Sequence, residues 1–299
     1  MLKSIIMVTI LVTNLSETEA AYTEYLNYQV VDRGVVSQLL ADNWQTPSLH
    51  QQPFSLMQPA SDKNVYLRFV QDPYERTANP MRRTGWNATE ILVEDPDALA
   101  QQFRDASDSP FTIIGEPDFL TDKQNVKAMQ VLGPSGELVY LTNIIDPAKS
   151  AFDLGRATAP VDRVFIMVLG THDMASTLDW YQANLTQPAL GPFDYKISVL
   201  SNTWGLPSET LYGLSLMQLP GQFMLEIDEY PPAAKTPQAF EQQPPPGILM
   251  VSFFTDELDN IKALPIDPAN VIPTLPYGSR ESMVVRGNSG ELLELIEEN

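Results

Sequence analysis

The sequence predicts an α+β protein made of two tandem modules, each a pair of β-α-β-β-β units. Two observations carry this. Short segments recur in order: Asn14-Leu15 leading to Tyr22 and Leu26 returns as Asp173-Met174 leading to Tyr181 and Leu185. Ser55-Leu56-Met57-Gln58 returns as Ser215-Leu216-Met217-Gln218, and Ser135-Gly136-Glu137-Leu138 as Ser289-Gly290-Glu291-Leu292. All three pairs keep a displacement of about 160 positions, which is the mark of an internal duplication. The second observation is that each copy runs twice through the same alternation of strand-like and helix-like periodicity.

The elements follow in order. Ile5 to Val12 is a β-branched run of strand length. Asn14 or Ser16 then caps a helix whose Leu15, Ala21, Tyr22, Tyr25 and Leu26 recur at helical spacing. Tyr28 to Val31, Phe54 to Gln58 and Val65 to Val70 are three further strands, the last two joined by the polar turn Pro59-Ala60-Ser61-Asp62. The unit then restarts: Thr89 to Val93 is a strand, Asp95-Pro96-Asp97 opens a helix striped by Leu99, Phe103 and Ala106, and Val126 to Leu132 pairs with Leu138 to Leu141 across Gly133-Pro134-Ser135-Gly136. In the second copy Val164 to Leu169 is the strand, Asp173 the cap, and Leu178, Trp180, Tyr181 and Leu185 the helix face. Leu214 to Gln218 and Phe223 to Ile227 form a hairpin. Leu249 to Phe254 is a strand, Asp256 to Leu264 a short helix, and Met283 to Val285 pairs with Leu292 to Ile296. The expected modules are 1–145 and 161–299, with 146–160 as connector. Pro231 to Pro246 reads as a stiff, extended, proline-rich stretch.

Composition narrows the function. The 299 residues suit two domains of roughly 150 residues, and 43% hydrophobic content is enough to bury a core without staples. A net charge of −20 repels phosphate backbones and anionic lipid, so neither nucleic acid nor a membrane is an expected partner. There is no cysteine, which removes disulfides, thiolate nucleophiles and zinc-thiolate sites together. Neither a Gly-x-Gly-x-x-Gly fingerprint, a Walker loop nor a nucleophile elbow occurs. Met1-Leu2-Lys3, the apolar run after it and Ala20-Ala21 have the outline of a secretory signal. The matching run of the second copy is internal, so both are read as first strands and the protein as cytoplasmic.

The helix ends Ala21-Tyr22 and Trp180-Tyr181, the hairpin Ser215 to Gly221 and the closing strand Gly290-Glu291-Leu292-Leu293-Glu294-Leu295-Ile296-Glu297 resemble the vicinal oxygen chelate superfamily. That superfamily holds glyoxalase I, extradiol dioxygenases, certain epimerases and isomerases, and bleomycin-resistance binding proteins. The resemblance covers nearly the whole chain. It implies a curved sheet around a cavity in each module and a divalent metal held by His or Gln near a first strand, His or Glu on a later strand and Glu on the last. Transferred one at a time, these positions fall on Met7, Ala88 and Tyr140 in the first module, and on Ile166, Leu249 or Met250, and Glu294 in the second. A single carboxylate does not hold a metal tightly, so no metal or other cofactor is expected. His50 and His172 read as exposed loop residues.

On that resemblance Glu294 is the candidate general base or acid and Tyr140 the candidate hydrogen-bond donor to a substrate oxygen. The alternative for Glu294 is a vestigial residue bonded to a neighbour. Glu226 and Arg68 lie on corresponding strands and either contact substrate or sit on a solvated face. Trp86 and Asn87 either stack on and hydrogen-bond a planar ligand or serve the core. The expected partner is a small, partly apolar oxygenated or aromatic molecule, with the chain a monomer or homodimer. An isomerase- or lyase-like proton transfer is one reading. A non-catalytic drug- or metabolite-binding protein is the other, and a scaffold role stays open.

Overall fold

The structure is a computed structural model that describes residues 1–236 and 243–298. The first unit contains β1 (Leu2–Val12), α1 (Leu15–Leu26), β2 (Tyr28–Val35), a short helix α2 (Gln38–Asn43), β3 (Pro53–Pro59) and β4 (Tyr66–Gln71). The second contains β5 (Gly85–Val93), α3 (Pro96–Asp105), β6 (Thr112–Phe119), β7 (Val126–Leu132) and β8 (Leu138–Ile144). The third contains β9 (Val161–Thr171), α4 (Met174–Leu185), β10 (Leu190–Lys196), α5 (Ser198–Trp204), β11 (Leu211–Leu219) and β12 (Phe223–Glu229). The fourth contains β13 (Gly247–Thr255), β14 (Asn270–Ile272), β15 (Arg280–Arg286) and β16 (Leu292–Glu297). The helices start where side chains satisfy their free N–H groups: Asn14 Oδ1 accepts from Glu17, Asp95 from Asp97 and Ala98, and Asp173 from Ser176.

One expected element is corrected here. Asp256 to Leu264 is not a helix but a single 3-10 turn, Leu258–Asn260. Leu264 is 87% exposed, so the segment has no continuous apolar stripe to pack. The edge strands β6 and β10 and the helices α2 and α5 went unseen in the sequence, because Pro117 in β6 and Gly191-Pro192 in β10 interrupt alternation and both strands are largely exposed. The stretch 146–160 holds one 3-10 turn, Pro147–Lys149, and is exposed or half-buried except at Leu154. Of the proline-rich stretch 231–246, residues 237–242 lie outside the described residues.

The strands form two curved eight-stranded sheets. One has the order β14-β15-β16-β13-β1-β4-β3-β2 and the other β10-β11-β12-β9-β5-β8-β7-β6. The units therefore pair across the halves of the chain: first with fourth in an outer sheet, second with third in an inner sheet. A separate sheet for each half, as the repeat suggested, does not form. Within every unit the first strand runs parallel to the last, and the two units of a sheet join antiparallel through β1 and β13 or β5 and β9. The apolar run Leu2–Val12 is thus a central strand.

One face of each sheet, with α1, α3 and α4, packs into a shared core around Tyr22, Phe69, Trp86, Phe165, Tyr181 and Phe253. The other faces look away from that core and carry smaller clusters of their own. No helix among the described residues is long and apolar enough to cross a membrane.

A reciprocal clasp locks the sheets together. The β7–β8 turn of the inner sheet sends Ser135 to Thr13 and Thr18 at the start of α1. The β15–β16 turn of the outer sheet sends Ser289 to Thr177 in α4, while Thr84 donates to the Ser289 carbonyl. Under each turn lies a buried carboxyl, Glu137 or Glu291, which accepts from the backbone N–H of Ser135 or Ser289 at 2.9 Å. Gly287 leaves room for it, since a Cβ there would stand 1.9 Å from Glu291 Oε1. Burial pushes both carboxyls up to about 7. Tyr181 donates to Glu291 Oε1 at 3.0 Å. Tyr181→Phe is expected to cost about 1–3 kcal/mol by leaving that oxygen short of a donor, measurable by chemical denaturation.

Candidate functional site

The inner sheet is curled so that its two edges meet. Tyr195 on β10 donates to the Leu120 carbonyl just past β6, and Val199 of α5 sits against Gly115 of β6. The face turned away from the shared core is therefore concave, with α5 at its rim. Strand alternation and cross-strand register fix what lines it. Glu226 on β12 stands opposite Val168 on β9, and Glu90 on β5 opposite Tyr140 on β8. Asp228 follows two residues after Glu226 on the same face, opposite Gly170. Ala88, Leu138, Val168, Tyr212, Leu214 and Tyr230 supply the apolar lining.

Three carboxyl groups thus share one concave face. Glu90 and Asp228 are buried, whereas Glu226 keeps partial exposure. Burial pushes Glu90 up to about 7. Burial, then repulsion from Glu90, pushes Asp228 up to about 8. Glu226 is raised well above the usual carboxyl range, by burial first and then by Asp228 and Glu90. One Asp228 oxygen, Oδ1, has no hydrogen-bond partner among the described residues. Burial and the surrounding carboxylates also hold the Tyr140 phenol well above its ordinary value, so it stays a neutral O–H donor at any physiological pH. Such a set can hold, release and accept protons near neutrality beside a hydrogen-bond donor.

The outer face is built differently. Thr9 on β1 stands opposite Arg68 on β4, and Ser252 on β13 opposite Glu294 on β16. Arg68 donates through Nε and Nη2 to Thr9 Oγ1 at 3.1 and 2.8 Å, and through Nη1 to the Tyr277 hydroxyl at 2.8 Å. Tyr277 in turn donates to Glu294 Oε1 at 2.9 Å. Ser252 donates to Glu294 Oε2, and Arg68 Nη2 lies 4.0 Å from the same oxygen. The Trp44 ring covers the guanidinium at 4.4 Å. Glu294 is 0% exposed.

The structure thus divides the residues expected at the site. Tyr140 and Glu226 come together on the inner face, Arg68 and Glu294 on the outer. A ligand would reach Glu294 only by displacing Tyr277 or Arg68. Trp86 belongs to the shared core, where its indole N–H donates to the Leu292 carbonyl at 2.7 Å. Asn87 braces its own loop through the Met81 amide and the carbonyls of Arg83 and Gly85. Together they line a small recess with Ala78, Arg83, Leu138 and Ile248. His50 and His172 are half-buried rather than exposed. Met7 and Met250 are fully buried in the outer cluster, where Met7 stands opposite Ser252 and Met250 opposite Thr9. Glu90 and Asp228 escaped the sequence reading. Each stands two residues from an inward position, Ala88 or Glu226, so strict alternation was the signal.

Neither set suits a divalent ion. The inner level offers Val168, Glu226, Glu90 and Tyr140, a hydrocarbon, two carboxyls that favour protons and a phenol. The outer level offers one carboxylate already facing a guanidinium. Among the described residues no three His, Asp or Glu side chains are arranged to hold a metal.

No protein-family model matches the sequence, and no curated protein matches it significantly. Solved structures do match the fold. Glyoxalase I from Zea mays superposes with a TM-score of 0.63 at 12% identity, over 98% of this chain and 92% of that one. A candidate dioxygenase from Bacillus subtilis subsp. subtilis str. 168 gives 0.58 at 11% identity, over 99% and 85%. At these identities the likeness concerns architecture, and it extends from one end of the chain to the other. The chain has the vicinal oxygen chelate fold in its two-module form.

Proposed function

We propose that the inner concave face takes a small, partly apolar oxygenated or aromatic molecule and transfers a proton on it, as an isomerase or lyase does, without a tightly held metal. One observation carries this reading. A partly exposed carboxyl, Glu226, shares the inner face with two buried ones, Glu90 and Asp228, and with the neutral phenol of Tyr140. Tyr140 would donate to a substrate carbonyl oxygen while Glu226 takes the proton from the adjacent carbon and returns it to a neighbouring atom. Burial, Asp228 and Glu90 also raise Glu226, so the pH at which Glu226 gives up its own proton sets the pH at which it is free to accept one. We place the protein in the cytoplasm, which agrees with Leu2–Val12 serving as a sheet strand, and expect a monomer or homodimer.

The test is a thermal-shift screen of small carbonyl compounds and phenols, followed by NMR of each stabilising compound in deuterium oxide. Incorporation of deuterium next to the carbonyl supports proton transfer. A tight ligand that exchanges nothing and is recovered unchanged supports the binding reading instead, which the same apolar, tyrosine-lined face would serve.

A further inference from the structure

We infer that Arg68 is a built-in cation, fixed beside Glu294, the one carboxylate that the resemblance puts at a metal-ligand position, and that this outer face is a closed structural core rather than a second ligand site. The place is defined by register. Thr9, Arg68, Ser252 and Glu294 occupy on β1, β4, β13 and β16 the positions that Val168, Glu226, Glu90 and Tyr140 occupy on β9, β12, β5 and β8. On the inner face that level carries the carboxyls of Glu226 and Glu90, with Asp228 two residues further along β12. On the outer face it is a neutral pair, one guanidinium and one carboxylate.

The guanidinium meets a partner in each direction. Thr9 Oγ1 takes two of its N–H groups, the Tyr277 hydroxyl a third, and Glu294 lies beyond at 4.0 Å. The Trp44 ring lies over it, brought in by α2, the insertion between β2 and β3. Tyr277 links the two charges by accepting from Arg68 and donating to Glu294. Arg68, Thr9, Trp44, Tyr277 and Glu294 are all at most 2% exposed. A planar fork with several donors can do this; a compact ammonium cannot.

The test uses the whole chain. Arg68→Ala is expected to lower the melting temperature by roughly 5–15 °C, since it strands a buried carboxylate. Guanidinium chloride at tens of millimolar should restore part of that loss by refilling the space. Sodium or tetramethylammonium chloride at equal ionic strength, and manganese or zinc, should not. Recovery with the divalent ions but not with guanidinium would overturn the inference, and so would an unchanged melting temperature. Arg68→Lys, which is more certain to fold, keeps the charge and loses the fork. It should fall by about 3–6 °C, and full stability in that variant would also overturn the inference.

Discussion

Glu226→Gln is expected to lower turnover of a proton-transfer substrate by roughly 10²- to 10⁴-fold while leaving its affinity little changed, because the amide keeps the shape and loses the base. Tyr140→Phe should reduce kcat by about 10²-fold or more, since it removes the donor aimed at the developing oxyanion. Glu294→Gln gives the contrast. It leaves the Arg68 charge buried beside a neutral amide, so its main effect should be a loss of about 3–5 kcal/mol of stability, with kcat per folded molecule preserved. Single-turnover kinetics and denaturation on the three variants separate these outcomes. If Glu294→Gln abolishes exchange in folded protein while Glu226→Gln does not, the chemistry belongs to the outer face.

The second large effect is in the pH dependence of stability. Glu90, Glu137 and Glu291 are pushed up to about 7 and Asp228 to about 8, chiefly by burial. In the unfolded chain these groups give up their protons near pH 4. Between about pH 4 and 8 the folded state therefore binds more protons, so stability is full at the acid end and is lost as pH rises through 7 to 8. A raised value of this size corresponds to about 3 kcal/mol for one fully buried carboxyl. The melting temperature should therefore fall by about 5–10 °C from pH 6 to pH 8. Glu19, Asp162, Asp173 and Asp256 are held below the usual range, so their contribution disappears only under more acidic conditions. Glu291→Gln and Glu90→Gln should each flatten the slope and raise stability at pH 8. A melting temperature that is constant or rises over this range would show that the carboxyls are ionised in the folded protein.

The sequence by itself determined the four units and most of their elements. Continuous apolar runs mark β1 and β9, capping residues Asn14, Asp95 and Asp173 mark helix starts, and the Gly-to-Glu turns mark the closing strands. These signals are local, so they survive in a linear reading. The same was true of part of the site: Tyr140, Glu226, Arg68 and Glu294 all lie on the predicted strands and all point away from the shared core. Only the tertiary structure decided which units share a sheet, because all four offer equivalent first strands and the pattern of one does not name its partner. That choice separates Glu294 from Glu226, puts Tyr140 and Glu90 on the face of Glu226, and lets Trp44 and Tyr277, from segments with no periodic signal, close over Arg68. The charge balance of each concave face depends on residues brought from distant parts of the chain: three carboxyls on the inner face, and one guanidinium against one carboxylate on the outer.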